Sequence, residues 1–132
     1  MSQENVETVR KMYEALNRDD VDGFLQLCAP GFEVRDLPEL PGSSVAVGHE
    51  AVRAWWDQLF DPFEDLRFDA EEFIDAGDRV VVLNHATARG RGSGAKVEMH
   101  FASVWTLNDG KAVRFISYSD HAEALEAAGL SE

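Results

Sequence analysis

The sequence has one cysteine and few prolines, and it has no long apolar segment. Cys28 has no second cysteine to pair with, so an internal disulfide is excluded and a reducing, cytoplasmic location is expected. No apolar run approaches the length of a membrane span, and the N-terminus lacks the apolar core of a signal peptide. With only 4 prolines and 10 glycines in 132 residues, of which 45% are apolar, the composition indicates a folded globular chain.

Basic side chains are also scarce. The chain has 12 lysines and arginines against 25 acidic residues, which gives a net charge of −13. Binding to nucleic-acid phosphates and to anionic lipid surfaces depends on basic patches. We therefore expect no nucleic acid and no membrane among the partners of this protein.

Signatures of cofactor and metal binding are missing as well. Residues 90–96 resemble a glycine-rich loop, but Ala95 stands where a phosphate-binding P-loop needs glycine, and no GxGxxG pattern fits. The four histidines follow neither an HxH nor an HExxH spacing, and the chain has one cysteine. The sequence therefore predicts no cofactor and no protein-bound metal.

The clearest pattern that is present is a β-hairpin within residues 97–120. Apolar and small side chains occupy every second position from Val97 to Leu107, which is the period of a strand. Asp109 and Gly110 predict a tight turn, because glycine tolerates the positive φ that such turns require. A second strand follows at 111–119, and Asp120 is expected to cap a closing helix at 120–128, with Glu123 completing a capping box.

The rest of the chain completes an α+β fold. Its periodicity predicts helices at 4–18, 21–27 and 48–60, strands at 32–36, 66–75 and 79–89, and a loop at 37–48. Helices come first and an antiparallel meander comes last. We expect one domain over residues 1–132, in which a curved, cone-shaped antiparallel sheet wraps over three N-terminal helices and leaves a ligand pocket at its open end.

A second face of the predicted sheet is also apolar, although a face left to water should be more polar. We assign one set of alternate strand positions to this outer face, namely Val80, Val82, Ala86, Ala102, Val104, Ile116 and Tyr118. Burial of this face against a second copy of the chain would satisfy its apolar character. The pattern therefore predicts a homodimer through the outer sheet face.

Five stretches of the chain are similar to a known family. They are 12–17 (MYEALN), 22–23 (DG), 32–36 (FEVRD), 48–52 (GHEAV) and 104–111 (VWTLNDGK). With them the chain resembles the SnoaL-like branch of the nuclear transport factor 2-like superfamily. The resemblance implies the cone-shaped fold and a frequent dimer, but members include polyketide cyclases, isomerases, dehydratases, epoxide hydrolases and binding proteins, so the fold does not name a reaction.

Asp36 and His85 are the two candidate catalytic residues. Asp36 ends a strand, where an apolar cavity wall would suit a general base, and ketosteroid isomerases, which look similar here, carry their base at the matching position. The alternative is an aspartate that caps the following loop. His85 shares a strand face with Val81, Leu83 and Thr87, and if that face lines the cone, the imidazole meets the ligand as an acid or a base. The alternative is a strand histidine bonded to a neighbour.

The other groups of the family's known active sites do not transfer to this chain. The isomerases also use a tyrosine and a protonated aspartate, and Met12 and Ser103 stand at those positions. Epoxide hydrolases of this fold use an arginine and two aspartates, where this chain has His85, Thr87 and Ser117. The resemblance therefore implies neither of these two activities.

The pocket walls are expected to be aromatic, with a few small polar groups. The candidate ligand-binding residues are Tyr13, Trp55, Trp56, Phe101, Ser103, Trp105 and Ser117, although only one of the two adjacent tryptophans can face the cavity. Two functions stay open. One is a SnoaL-like pocket protein acting as a cofactor-free acid–base enzyme of the cyclase, dehydratase or isomerase type on an apolar cyclic substrate. The other is a non-catalytic ligand-binding or dimerisation domain.

Overall fold

The computed structural model describes residues 2–35 and 45–130. It has the predicted helices and strands in the predicted order, with one additional short strand, Val45–Val47, at the end of the predicted loop. Asp36 and most of the predicted loop at 37–48 lie outside the described residues. No helix in the described ranges is long and apolar enough to cross a membrane. The elements are α1 (Ser2–Asn17), α2 (Val21–Gln26), β1 (Cys28–Arg35), β2 (Val45–Val47), α3 (His49–Phe60), β3 (Phe63–Ala76), β4 (Arg79–Gly90), β5 (Lys96–Asn108), β6 (Lys111–Tyr118) and α4 (His121–Ala127).

Local signals in the sequence set several of these boundaries. The Asp20 carboxylate accepts a hydrogen bond from Gly23 N (3.0 Å) at the start of α2. The Asp120 carboxylate accepts one from Ala122 N (2.8 Å), which confirms the predicted cap of α4. Asp109 and Gly110 both have positive φ (52° and 77°), as the predicted turn between β5 and β6 requires.

The six strands form one mixed sheet in the order β2-β1-β6-β5-β4-β3. Strands β3 to β6 form the predicted antiparallel meander, whereas β1 runs parallel to β6. Strand β1 also begins earlier than the predicted strand at 32–36, since it starts at Cys28 and includes the Ala-Pro-Gly stretch at 29–31. Its register with β6 shifts between Cys28 and Glu33, and an irregular strand of this kind tolerates proline.

The inner face of the sheet is the one that carries Val82, Ser103 and Ser117, which lie side by side on β4, β5 and β6. Helices α1, α2 and α3 cover it and form the main core with Val80, Val82 and Trp105. Three core residues of the helices, Met12, Phe24 and Val52, are fully or almost fully buried. The sheet over three N-terminal helices therefore agrees with the predicted fold class.

The outer face carries Val81, Val104 and Ile116 on the same three strands. Helix α4 packs on it, since Ala124 and Ala128 join a cluster with Val81, Ala102 and Val104. The assignment of Val80, Val82 and Ala86 to the outer face is wrong, because all three lie on the inner face. Both faces of β4 are apolar at this point, so the alternation of residues did not distinguish them.

Helix α4 also covers part of the surface through which the homodimer is predicted. Part of the apolar outer face is buried within the chain, against Ala124 and Ala128, so its apolar character does not by itself require a second copy. The homodimer stays a prediction.

Candidate functional site

A small inner cavity lies between the helices and the inner face of the sheet. Its volume is about 30 Å³. Most of its walls are aromatic or aliphatic, and its lining residues are Tyr13, Leu16, Phe24, Trp55, Leu59, Phe68, Phe101, Trp105, Phe115 and Ser117. A space of this size admits one or two waters but not an organic ring.

A second, outer cavity of about 90 Å³ adjoins the first. Leu59, Phe68 and Phe101 line both, so these three side chains form the partition between the two spaces. The other lining residues of the outer cavity are Phe63, Leu66, Ala86, Thr87, Ala88, Val97 and Met99. The two cavities are therefore adjacent apolar spaces that these three side chains separate.

A buried hydrogen-bond network lies behind the wall of the inner cavity and reaches it at Tyr13. The Tyr13 hydroxyl donates to Asn84 Oδ1 (2.5 Å), and Asn84 Nδ2 donates to Ser103 Oγ (3.1 Å) and to the Val82 carbonyl (3.2 Å). Burial raises the pKa of Tyr13 above its ordinary value, and smaller interactions with Trp105, Ser103 and Asn84 oppose this shift. The phenol is therefore neutral over the physiological pH range and acts as a hydrogen-bonding group.

Two polar atoms at the inner cavity have no hydrogen-bond partner among the described residues. They are Trp105 Nε1 and Ser117 Oγ, and the two residues are only 1% and 4% exposed. The Trp105 indole lies beside the phenol of Tyr13, with ring centroids 5.7 Å apart, and lowers the pKa of that phenol against the larger effect of burial. Its N–H nevertheless meets neither the Tyr13 oxygen nor another acceptor of the described residues with the geometry of a hydrogen bond. Buried polar atoms are nearly always partnered, so two orphans at one cavity are unusual.

The structure brings five of the predicted ligand-binding residues to the cavity wall, namely Tyr13, Trp55, Phe101, Trp105 and Ser117. Ser103 lies behind the wall as a partner of Asn84. Trp56 points elsewhere, because its ring stacks on Phe60 (centroids 5.1 Å apart) and its Nε1 donates to the Asp19 carboxylate (2.6 Å). Their roles toward a ligand stay predictions.

Of the two candidate catalytic residues, Asp36 lies outside the described residues and His85 lies on the outer face. The expectation that His85 faces the cavity is wrong, because Val82, Asn84 and Ala86 occupy the inner positions of β4. His85 Nε2 is instead 2.6 Å from a carboxylate oxygen of Glu98, and its ring stacks on His100. In the part of the chain that is described, no residue lining the two cavities is titratable except Tyr13.

Asn84 has a structural role at the site that the sequence pattern did not indicate. It alternates with Val80, Val82 and Ala86, a set that had been assigned to the outer face, where an asparagine needs no explanation. A polar residue within an otherwise apolar stripe signals a buried hydrogen-bond network once the stripe is placed inside. Only the packing of α1 against the sheet shows that Tyr13 supplies its partner.

Comparisons with known proteins agree with this architecture. The SnoaL-like domain family matches residues 9–115. An NTF2-like protein of unknown function from Burkholderia pseudomallei K96243 is 29% identical with a TM-score of 0.81, and the match covers 93% of this chain and 95% of that chain. An NTF2-like protein from Burkholderia thailandensis E264 is 26% identical with a TM-score of 0.79, over 92% of this chain and 96% of that one.

TerC, which was co-crystallised with polyporic acid, shares the fold at 24% identity, with a TM-score of 0.80 over 96% of this chain and 98% of that chain. No curated protein matches the sequence. The family match spans most of the sequence, and the mixed sheet over N-terminal helices is the fold of these NTF2-like structures. The chain therefore belongs to the SnoaL-like domain family.

Proposed function

We propose that this protein binds a small, mainly apolar ring compound that carries a hydrogen-bonding oxygen, with the ring in the inner cavity. The observation that carries this proposal is the pair of orphan groups, Trp105 Nε1 and Ser117 Oγ, in a cavity that is otherwise apolar. An indole N–H can only donate, whereas a serine hydroxyl donates or accepts. A carbonyl or phenol oxygen placed between them satisfies both.

The aromatic walls favour a ring over an alkyl chain. Trp55, Phe115 and Trp105 lie in a row along one side, with Trp105 and Phe115 ring centroids 4.5 Å apart and Trp55 and Phe115 centroids 6.4 Å apart. Flat aromatic surfaces of this kind contact planar ligands over a large area. TerC, a protein of the same fold, was co-crystallised with polyporic acid, which supports a ligand-binding use of the cone.

Binding requires the partition between the cavities to open. An apolar cavity that holds benzene has a volume of about 150 Å³, which exceeds the 30 Å³ and 90 Å³ of the two spaces. Leu59 and Phe68 are only partly buried, whereas Phe101 is buried against Ala86. We therefore expect rotation of Leu59 and Phe68 to join the two spaces.

Titration calorimetry with a matched ligand pair tests the proposal. Acetophenone and ethylbenzene have similar shapes, but only the ketone has an oxygen for Trp105 and Ser117. We expect the protein to prefer acetophenone, and Trp105→Phe and Ser117→Ala each to weaken its binding by about three- to tenfold, the value of one hydrogen bond. Binding of ethylbenzene should change much less.

Trp56→Phe is the matched control, because the Trp56 indole is bonded to Asp19 and lies away from the cavity. Its preference for the ketone should equal that of the unmodified protein. Equal affinity for the two ligands, or an equal loss of the preference in Trp56→Phe, contradicts the proposed role of the orphan groups.

Acid–base catalysis on such a ligand would depend on Asp36, since no carboxylate or imidazole is among the described lining residues of the cavities. Exchange of the acetophenone methyl protons in deuterated water separates the two functions. An enzyme that removes a proton next to the carbonyl accelerates this exchange and loses the effect in Asp36→Asn. A binding protein leaves the rate at that of the buffer, which is the outcome we expect.

A further inference from the structure

We infer that His85, Glu98 and His100 form a binding site for one divalent transition-metal ion, of the chemical class of Zn²⁺ or Ni²⁺, on the outer face of the sheet. The site lies across the sheet from the cavities and does not depend on the proposed ligand-binding function. The three residues come from two adjacent strands, β4 and β5.

The strand register places the three side chains together. His85 and His100 are direct cross-strand partners in the antiparallel pair of β4 and β5, so both project from the same face. Glu98 precedes His100 by two residues and projects from that face as well. One ligand atom from each residue lies within 4.8 Å of the others, and His85 Nε2 is 2.6 Å from Glu98 Oε2.

The donor set suits a borderline transition metal. Two imidazoles and one carboxylate are a ligand combination that proteins use for Zn²⁺, and they leave one coordination position open. Mg²⁺ and Ca²⁺ prefer sites made of oxygen atoms, so two histidines select against them. Glu71 adds a second carboxylate near the site, with an oxygen 4.0 Å from His100 Nδ1, where it can orient the imidazole and supply negative charge.

The side chains must rotate before they can bind an ion together. The two imidazole rings are stacked, with centroids 4.4 Å apart and planes inclined by 6°, and two parallel rings do not aim their nitrogens at one point. The side chains of Glu98 and His100 are 64% and 59% exposed, so their rotation disturbs no core packing. His85, at 23%, is the more fixed ligand around which the others rearrange.

The ion would stay accessible from solvent. Glu98 also lines an open groove of about 400 Å³ on this part of the sheet, together with Thr87, Arg89 and Lys96. The net charge of −13 attracts cations to the protein as a whole. The spacing of histidines along the sequence gives no sign of this cluster, because the pairing of β4 with β5 creates it.

Titration calorimetry of the untagged chain with ZnCl₂, NiCl₂ and MgCl₂ tests the inference. We expect saturable binding of one Zn²⁺ or Ni²⁺ per chain and no comparable binding of Mg²⁺. His85→Ala and His100→Ala should each weaken Zn²⁺ binding at least about tenfold, because loss of even an outer-shell partner has an effect of that size. Glu98→Gln should weaken it as well.

His121→Ala is the matched control, since His121 begins α4 and is not part of the cluster. It should bind Zn²⁺ as the unmodified chain does. A measurement that needs no variant is the histidine NMR spectrum, in which Ni²⁺ should broaden the signals of His85 and His100 before those of His49 and His121. Three outcomes would mean an adventitious ion only and would overturn the inference. They are wild-type affinity for Zn²⁺ in both His85→Ala and His100→Ala, equal broadening of the signals of all four histidines, and weak binding without saturation.

Discussion

Tyr13, Asn84 and Ser103 link α1 to strands β4 and β5 through hydrogen bonds that are closed off from water. Each of these hydrogen bonds contributes to stability, because a buried polar group without a hydrogen-bond partner lowers the free energy of unfolding by about 1–3 kcal/mol. Asn84 makes three such bonds and holds the Tyr13 hydroxyl against the sheet. Among the described residues, Trp105 Nε1 and Ser117 Oγ are the buried side-chain atoms that keep no hydrogen-bond partner. We therefore expect a ligand in the cavity to form its hydrogen bonds with Trp105 Nε1 and Ser117 Oγ.

Cys28 provides a pH-dependent test at the scale of one residue. Burial raises the pKa of its thiol from 9.0 to about 12, against a smaller opposing effect of Lys111. In the unfolded chain the thiol loses its proton above pH 9, while the folded chain keeps it, so this contribution to stability is complete below pH 9 and is lost as the pH rises from 9 toward 12. The free energy of unfolding should fall by up to about 1.4 kcal/mol per pH unit in that window.

Urea unfolding between pH 8 and pH 11 measures this effect, with Cys28→Ala as the comparison. The variant lacks the thiol, so its free energy of unfolding should decline less steeply above pH 9. Parallel pH profiles for the two proteins would show that Cys28 ionises alike in the folded and unfolded chains.

Helix α4 gives the sheet its second buried face. Val81, Ala102 and Val104 are buried on the outer face because Ala124 and Ala128 pack on them. Sequence alternation predicted both the strands and an apolar outer surface, but it assigned Val80, Val82 and Ala86 to the wrong face. A seven-residue helix is too short to be stable alone, so α4 depends on this packing and on its cap.

Asp120 tests the contribution of that cap. Replacing Asp120 with alanine removes the hydrogen bond to Ala122 N and should lower the free energy of unfolding by about 1 kcal/mol. Asp120→Ser keeps a capping oxygen while it removes the same charge, so it should be closer to the unmodified protein. Urea unfolding of the three proteins measures the difference, and equal losses in the alanine and serine variants would assign the effect to charge instead of capping.

At the scale of the whole molecule, residues 2–35 and 45–130 form a mixed sheet with three helices on one face and one helix on the other. The part of the outer face around His85 and His100 is polar, whereas Ile116 on β6 is apolar and half-buried. A second copy that packs on the outer face would be expected to use the β6 region. The predicted homodimer therefore has a more restricted surface available than the sequence pattern suggested.

Size-exclusion chromatography with light scattering tests the oligomeric state. A homodimer gives twice the chain mass of 14.7 kDa. Ile116→Lys should shift the protein toward the single-chain mass, because a charge would be buried in the interface. Val47→Lys is the control, since Val47 is already 58% exposed on β2. A single-chain mass for the unmodified protein contradicts the dimer.

The sequence by itself determined the fold class, the order of the main helices and strands, the turn at Asp109 and Gly110 and the cap at Asp120, because these depend on periodicities and hydrogen bonds within a few residues. Only the tertiary structure decided which face of β4 meets the helices, since both faces are apolar there. In the tertiary structure Tyr13 is hydrogen-bonded to Asn84, 71 positions further along the chain, and His85 does not line the cavity. The tertiary structure also placed His85 beside His100, because cross-strand neighbours are set by register and not by spacing along the chain.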